Sequence, residues 1–444
     1  MNPVRAVVVA ASALLLAFSA PQVLEAQPLT PEQRTERCAL IRDVAADNGI
    51  SAGFLFAGIA QAETNLSHCW SELSWACEGP VSVDCGGPVV AGAGDGPCEL
   101  MQGGLGMFQF DGGTFAETIE RDGDGVLLLS GNVTRAIDFV VNMVINSQYV
   151  DVSTPEEAKA WLNQVTVDGP LWDEWITTVT HYYNGCTPTG CAVFDDRYQH
   201  YADNGVDVYF EQGEAFWVVD LPPCAPIPAA GRLLEETDTC FTKGGPLPFW
   251  RVGIGGESNL HVWTGTTDAA EPFNFAQWDL TFDEPGEYVV EVSVPEGTTT
   301  QANYVIDHAG TTDEVLLDQA SVDGFVALGS FEFAAGAGQR LFVGDNTGDA
   351  DLRLSVDALR LTRVEAPGTG GSGGGENASS SGSGGSNAGA AGGVGGEGGT
   401  GNSAEADAGC DCALAGEQKR SSSGLLLGGL ALLVAFRRRL RATA

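Results

Sequence analysis

Basic residues are scarce in this chain. Lys plus Arg number 21 against 59 Asp plus Glu in 444 residues, a formal net charge of −38. Such a field repels polyanions and excludes nucleic acid as a partner. It also opposes an anionic cell wall as substrate unless salt screens it, the Debye length shrinking to about 3 Å at 1 M. Histidine is scarcer still: His68, His181, His200, His261 and His308 show no metal-type spacing. No Cys-x-x-Cys occurs among Cys38, Cys69, Cys77, Cys85, Cys98, Cys186, Cys191, Cys224 and Cys240, which disfavours zinc. Long apolar runs are lacking too, and the two present fall short of the roughly 20 residues of a spanning helix.

The first of these runs, Ala6 to Ala20, follows Arg5 and precedes Val23-Leu24-Glu25-Ala26, so residues 1–26 read as a secretory signal peptide. Cysteines in an exported chain point to disulfides. Cys186 with Cys191 and Cys224 with Cys240 are the natural local pairs, and an odd number in this group leaves one thiol over. From residue 27 to 213 the apolar spacing is helical, as in Cys38-Ala39-Leu40-Ile41-x-x-Val44-Ala45. Residues 214–250 are Pro-rich and read as a joint. From 251 to 364 the period becomes two, as in Tyr288-Val289-Val290-Glu291-Val292, which predicts an all-β sandwich or jelly roll. Residues 365–409, dominated by Gly, Ser, Ala and Asn, read as a flexible linker. The expected fold class is therefore multidomain, α-helical then all-β, with a disordered Gly/Ser linker.

The second apolar run, Gly424 to Phe436, lies between Cys410-Asp411-Cys412 and the arginines 437, 438, 439 and 441. Residues 410–444 resemble the MYXO-CTERM sorting tail of myxobacterial exported proteins. The resemblance implies a sorting protease that cuts near Cys410 or Cys412 and a lipid-linked or membrane-held product at the cell surface or outer membrane. An ordinary C-terminal membrane anchor is the alternative, with the arginines kept cytoplasmic.

Glu63 carries the chemistry. It ends the apolar run Ile59-Ala60-Gln61-Ala62-Glu63-Thr64-Asn65, preceded by Asn48-Gly49, which stops a first helix, and Ser51, which is placed to cap the second. A carboxyl at the end of a buried helix is a candidate general acid. Here the chain resembles the lysozyme-like domain of lytic transglycosylases over roughly residues 32–200, with Thr64 where the family usually has Ser. Gly104-Leu105-Gly106-Met107-Phe108-Gln109-Phe110 is similar to its Gly-Leu-Met-Gln-Ile segment, Tyr182-Tyr183-Asn184-Gly185 to its Ala-Tyr-Asn-Ala-Gly loop, and Ser130-Gly131-Asn132-Val133 to a helix start. The resemblance implies Glu63 as acid and base, with Thr64, Met107, Gln109, Tyr183 and Asn184 as substrate-binding residues. Gln109 and Tyr183 would also hold the Glu63 carboxyl, and Asn184 would orient its loop. Cys186 stands where the family often has Gly, and Cys69, Cys77, Cys85 and Cys98 mark a long insert.

A hydrolytic lysozyme needs a second carboxylate. Asp111 is the candidate, its alternative being a cap on the Gly112-Gly113 turn. Asp122-Gly123-Asp124-Gly125 lacks the remaining calcium ligands of an EF-hand and reads as a solvated turn. Phe275-Ala276-Gln277-Trp278-Asp279-Leu280, Ala302-Asn303-Tyr304-Val305-Ile306-Asp307-His308 and Val356-Asp357-Ala358-Leu359-Arg360-Leu361 resemble a golvesin-type β domain over roughly 251–363. That resemblance implies a carbohydrate- or surface-binding accessory role. Trp263 and Trp278 are either sugar platforms or core. The expected function is a surface-anchored lytic transglycosylase cleaving peptidoglycan or a related glycan without cofactor or metal. The rival is a non-catalytic wall- or glycan-binding protein on the same scaffold.

Overall fold

The computed structural model describes residues 27–73, 75–92, 98, 104–221 and 223–364. The segments read as signal peptide, linker and sorting tail, the last with Cys410 and Cys412, lie outside these residues. In chain order the helices are α1 Pro31–Asp47, α2 Phe54–Thr64, α3 Phe115–Asp122, α4 Leu129–Ile145, α5 Pro155–Leu162, α6 Trp172–Thr178, α7 Phe194–Gln212 and α8 Glu214–Trp217. Three start with a Thr-x-x-Gln/Glu capping box, at Thr30, Thr114 and Thr154, where side chains satisfy orphan amides. Asn48 does end α1, and Gly49 takes φ 79°. Ser51, however, does not cap α2. Its amide and hydroxyl both bind Asn163 Oδ1, and Gly53 is the N-cap. A hairpin, β1 Cys77–Ser82 and β2 Gly87–Ala91, interrupts the helices.

Helix α2 is nearly all apolar and is fixed at both ends. At its start, the Phe54 ring packs on Trp172 of α6, Tyr209 of α7 and Trp217 of α8. At its end, Arg34 of α1 donates to Gln61 Oε1 at 2.9 Å and Asn65 Oδ1 at 3.1 Å while paired to Glu211 of α7. Glu63 is thereby delivered to one place.

The β region comprises β3 Gly231–Leu234, β4 Phe241–Gly244, β5 Arg251–Ile254, β6 Leu260–Gly265, β7 Phe275–Phe282, β8 Gly286–Val294, β9 Ala302–His308, β10 Thr311–Leu317, β11 Gly324–Phe333, β12 Gly336–Gly344, β13 Arg353–Val356 and β14 Leu359–Arg363. These strands form antiparallel sheets of order β10-β9-β12-β7-β4, β11-β8-β14-β3 and β13-β6-β5. Alternation fits the first two facing each other: Phe282 stacks on Phe333 and lies against Tyr288. Trp278 is core at 1% exposure. Trp263 is half-buried, its ring flanked by Arg251 and Arg353 at 4.7 and 4.1 Å.

The Pro-rich stretch is more than a joint. It supplies β3, paired with β14, and β4, paired with β7. Its prolines precede β3 or follow β4, where a missing amide breaks no ladder bond. Helices and sheets belong to one compact unit. The seam is built by Asp122-Gly123-Asp124-Gly125, which is not a solvated turn. Asp122 is 1% exposed and accepts from Arg135 of α4, itself 4% exposed, at 2.9 Å. Arg135 also donates to the Trp250 carbonyl at 3.0 Å, and Asp124 Oδ1 accepts from the Ile254 amide. Gly123 has φ 93°, and a Cβ there would strike the Val252 carbonyl oxygen. Lys243 of β4 reaches back to Asp138 of α4 at 2.6 Å.

Eight cysteines pair as Cys69–Cys85, Cys77–Cys98, Cys186–Cys191 and Cys224–Cys240, the last two being the expected local pairs. Cys38 is the thiol left over among the described residues. It lies buried in α1, where desolvation pushes its pKa up to about 12.

Removing Arg135 leaves Asp122 short of its buried partner and a seam carbonyl without a donor. Arg135→Met is expected to lower unfolding free energy by about 3 kcal/mol or more. Guanidinium titration checks this, and a loss below about 1 kcal/mol would refute the seam's dependence on the pair.

Candidate functional site

The site grows from a loop whose backbone is satisfied largely by side chains. Residues 105–110 form a tight turn, closed by reciprocal amide-carbonyl bonds between Leu105 and Phe110. The Met107 amide donates to His68 Nδ1 at 3.3 Å, and the Phe108 amide to Asn132 Oδ1 at 3.0 Å. Asn132 Nδ2 donates to the Leu105 and Val126 carbonyls. Thr64 donates its hydroxyl to the Met107 carbonyl at 2.9 Å, and the Tyr183 hydroxyl donates to the Phe108 carbonyl. A Cβ on Gly106, φ 71°, would crowd Asn132 and His68, so this position requires glycine. The described part of the Cys-rich insert is woven into the same frame, with β2 bridging Leu105 through Ala91.

Glu63 is half-buried at the end of α2, beside this loop. The Tyr201 hydroxyl of α7 donates to Glu63 Oε1, Asn184 Nδ2 donates to the Tyr201 oxygen at 3.4 Å, and Arg197 donates to Asn184 Oδ1. A chain of donors therefore runs from Arg197 through Asn184 and Tyr201 to the carboxyl. Burial, reinforced by the Glu63 charge, pushes the Tyr183 and Tyr201 hydroxyls well above the ordinary phenol range, so both stay protonated and remain donors. Helix α6 passes into a π turn over Val179–Tyr183, which aims Tyr183 at the loop, and its ring packs edge-on against Phe139.

Backbone strain gathers here. Asn65, Leu66 and Gln109 have φ of 56°, 65° and 51°, a region non-glycine residues rarely enter. Each costs of order 1 kcal/mol or more and persists because its surroundings fix it. Asn65 is held by Arg34 and Gln61. Gln109 Nε2 donates to the Gly106 carbonyl at 2.7 Å.

Of the residues read from sequence, Glu63, Thr64, Met107, Gln109, Tyr183 and Asn184 are brought into one hydrogen-bonded neighbourhood. Thr64 and Met107 were expected at the substrate, but both are 0% exposed. They hold the loop against α2 instead. Asp111 is exposed, and its Oδ1 accepts from the Gly113 amide at 2.7 Å, the turn-capping alternative. Cys186 is tied to Cys191, closing the segment that follows Asn184. Tyr201, Asn132 and His68 were not identified as site residues from sequence. His68 is fully buried; since Nδ1 accepts, Nε2 carries the hydrogen donated to the Leu127 carbonyl at 2.9 Å.

Residues 258–363 match the golvesin C-terminal domain family. The match begins after β5, although β3 to β5 share its sheets. Among solved structures, the chain is similar to a Paenibacillus xanthan lyase at 18% identity over 31% of this chain and 13% of that one, with a TM-score of 0.27. A Podospora anserina GH26-CBM35 β-(1,4)-mannanase is 17% identical over 32% of this chain and 29% of that one, TM-score 0.23. The C-terminal CBM6 of LamC, a laminarinase from Zobellia galactanivorans, is 13% identical over 30% and 99%, TM-score 0.22. The chain thus spans only a small part of the lyase and mannanase. No curated protein matches it.

Burial pushes the His68 imidazole down to about 4, so the folded protein binds fewer protons there than the unfolded chain between pH 6.5 and 4. Its contribution is intact above about pH 6.5 and is lost as pH falls toward 4, by roughly 3 kcal/mol in all. The stability gap between wild type and His68→Asn should therefore narrow by about that amount from pH 7 to pH 4. Denaturant titrations at both values measure it, and a gap independent of pH would contradict a buried neutral His68.

Proposed function

We propose that Glu63 is the single acid and base of a lytic transglycosylase-like enzyme with a lysozyme-like helical domain, acting on peptidoglycan or a related glycan. The observation that carries this reading is the donor chain Arg197–Asn184–Tyr201–Glu63 beside the strained 105–110 loop. A carboxyl that must deliver and then recover a proton needs a fixed rotamer, and a phenol locked in its protonated form supplies the fixing donor. Glu63 first protonates the departing glycosidic oxygen as an oxocarbenium-like centre develops. It then takes the proton of the muramoyl 6-hydroxyl as that oxygen attacks, which yields a 1,6-anhydro product. Asp111, exposed and committed to its own turn, offers no support for a water-activating second carboxylate.

The golvesin-type domain is proposed to hold the enzyme near carbohydrate at the cell surface. The sorting tail, if processed as its resemblance implies, would keep the protein exported and lipid-linked. The net charge of −38 favours a second reading, a glycan-binding protein that has no turnover.

Purified oxidised protein incubated with peptidoglycan should release anhydromuramyl fragments identified by mass. Glu63→Gln should lower that release at least 100-fold, within the range expected for loss of a general acid, without loss of folding. Tyr201→Phe should lower kcat more than it alters KM. Reducing-end fragments would make the enzyme a hydrolase. No release by folded protein from low to high salt, together with co-sedimentation on the polymer, would establish the binding reading instead.

A further inference from the structure

Glu235 and Glu236 directly follow β3, and Asp357 lies in the turn between β13 and β14. Because β3 pairs with β14, Leu234 opposite Leu359, the opening and closing segments of the β region bring these three acids together. One carboxylate oxygen of each lies within 4.8 Å of the other two. Glu236 is 7% exposed and Asp357 1%. Both oxygens of Glu236, Oε2 of Glu235 and Oδ1 of Asp357 are buried without a well-aligned hydrogen-bond donor among the described residues, leaving Glu236 only its own amide and the facing carboxyl of Asp357. The other Asp357 oxygen is occupied, accepting from the Ser293 hydroxyl and the Glu257 amide. Lys243, whose charge reaches Glu236, is bound to Asp138.

Uncompensated carboxylates in such a place carry a heavy desolvation penalty. They must hold protons or a cation. Burial, followed by the charge of Asp357, drives Glu236 well above the usual carboxyl range, and burial with Asp357 and Glu257 raises Glu235 to about 7. One oxygen from each of the three carboxyls converges, and the donor set is oxygen only, with neither imidazole nor thiolate. A hard cation suits it, and calcium accepts direct protein carboxylates in irregular geometry more readily than magnesium, which retains its waters. Glu236 also lines a cleft of about 330 Å³ between helices and strands, whose wall includes Asp47, Asp138, Asp238 and Lys243.

We propose that Glu235, Glu236 and Asp357 form a calcium site that clamps the first strand of the β region to its last, beside the cleft at the helical seam. The site is independent of any catalysis by Glu63.

The test uses the full oxidised chain, stripped with chelator and dialysed free of it. Calcium should bind with a saturable heat at one site and raise the melting temperature by roughly 4 °C at 100-fold excess over Kd. Glu236→Gln and Asp357→Asn, which preserve volume, should each weaken binding at least tenfold. Should either variant fail to fold, terbium luminescence on the wild type, displaced by calcium, supplies a readout without mutation. Folded wild type with no calcium heat, no melting shift and no terbium signal would overturn the site and leave a proton shared between Glu236 and Asp357. Undiminished binding in both folded variants would overturn it equally.

Discussion

The buried Arg135–Asp122 pair is the constraint on which the rest of the molecule hangs. One guanidinium joins α4 to the end of α3 and also binds a carbonyl of the segment entering β5, so the helical and β regions share a polar core. A charge pair this deep is tolerated only when its hydrogen-bonding capacity is filled from several directions. Arg121 fills the second oxygen of Asp122. Gly123 between the two aspartates and Gly125 after them let the β5 backbone come close enough for the geometry to close. Asp138–Lys243 repeats the arrangement further along α4 toward β4, so the orientation of this helix governs both junctions.

Helix α4 also holds the candidate site. Asn132, three residues before Arg135, fixes the 105–110 loop, and Phe139, four residues beyond it, packs against Tyr183. One face of α4 thus reads the seam while the neighbouring face sets the loop. The loop holds Gln109 at a strained φ because most of its backbone groups have an appointed partner, and the surrounding packing prevents relaxation.

Much of this was legible in the sequence where the signal is local. The period-two runs such as Tyr288 to Val294 became strands, the helical spacing around Cys38 became α1, and the two short-range cysteine pairs closed as expected. Strands β3 and β4 were hidden because they are only four residues long and sit among prolines, so neither shows a full period. Asp122 to Gly125 looked solvated because nothing local reveals that another segment will cover it. Tyr201 was missed for a similar reason: an aromatic within a helix has no distinguishing mark until its partner, Glu63, arrives from far along the chain. The acids at 235, 236 and 357 come from opposite ends of the β region, beyond the reach of any spacing rule.

The buried thiol of Cys38 bears on how the disulfides pair. Each disulfide closes a short stretch, with separations of 16, 21, 5 and 16 residues, so correct partners meet early by proximity. A ninth thiol of ordinary reactivity would compete with them throughout oxidation. Docking of α1 onto the helical core withdraws it, since a thiol that ionises only near 12 is a poor attacking group at neutral pH. With α1 docked, Cys38 is therefore both covered and un-ionised at neutral pH, and makes a poor competing partner for the paired cysteines.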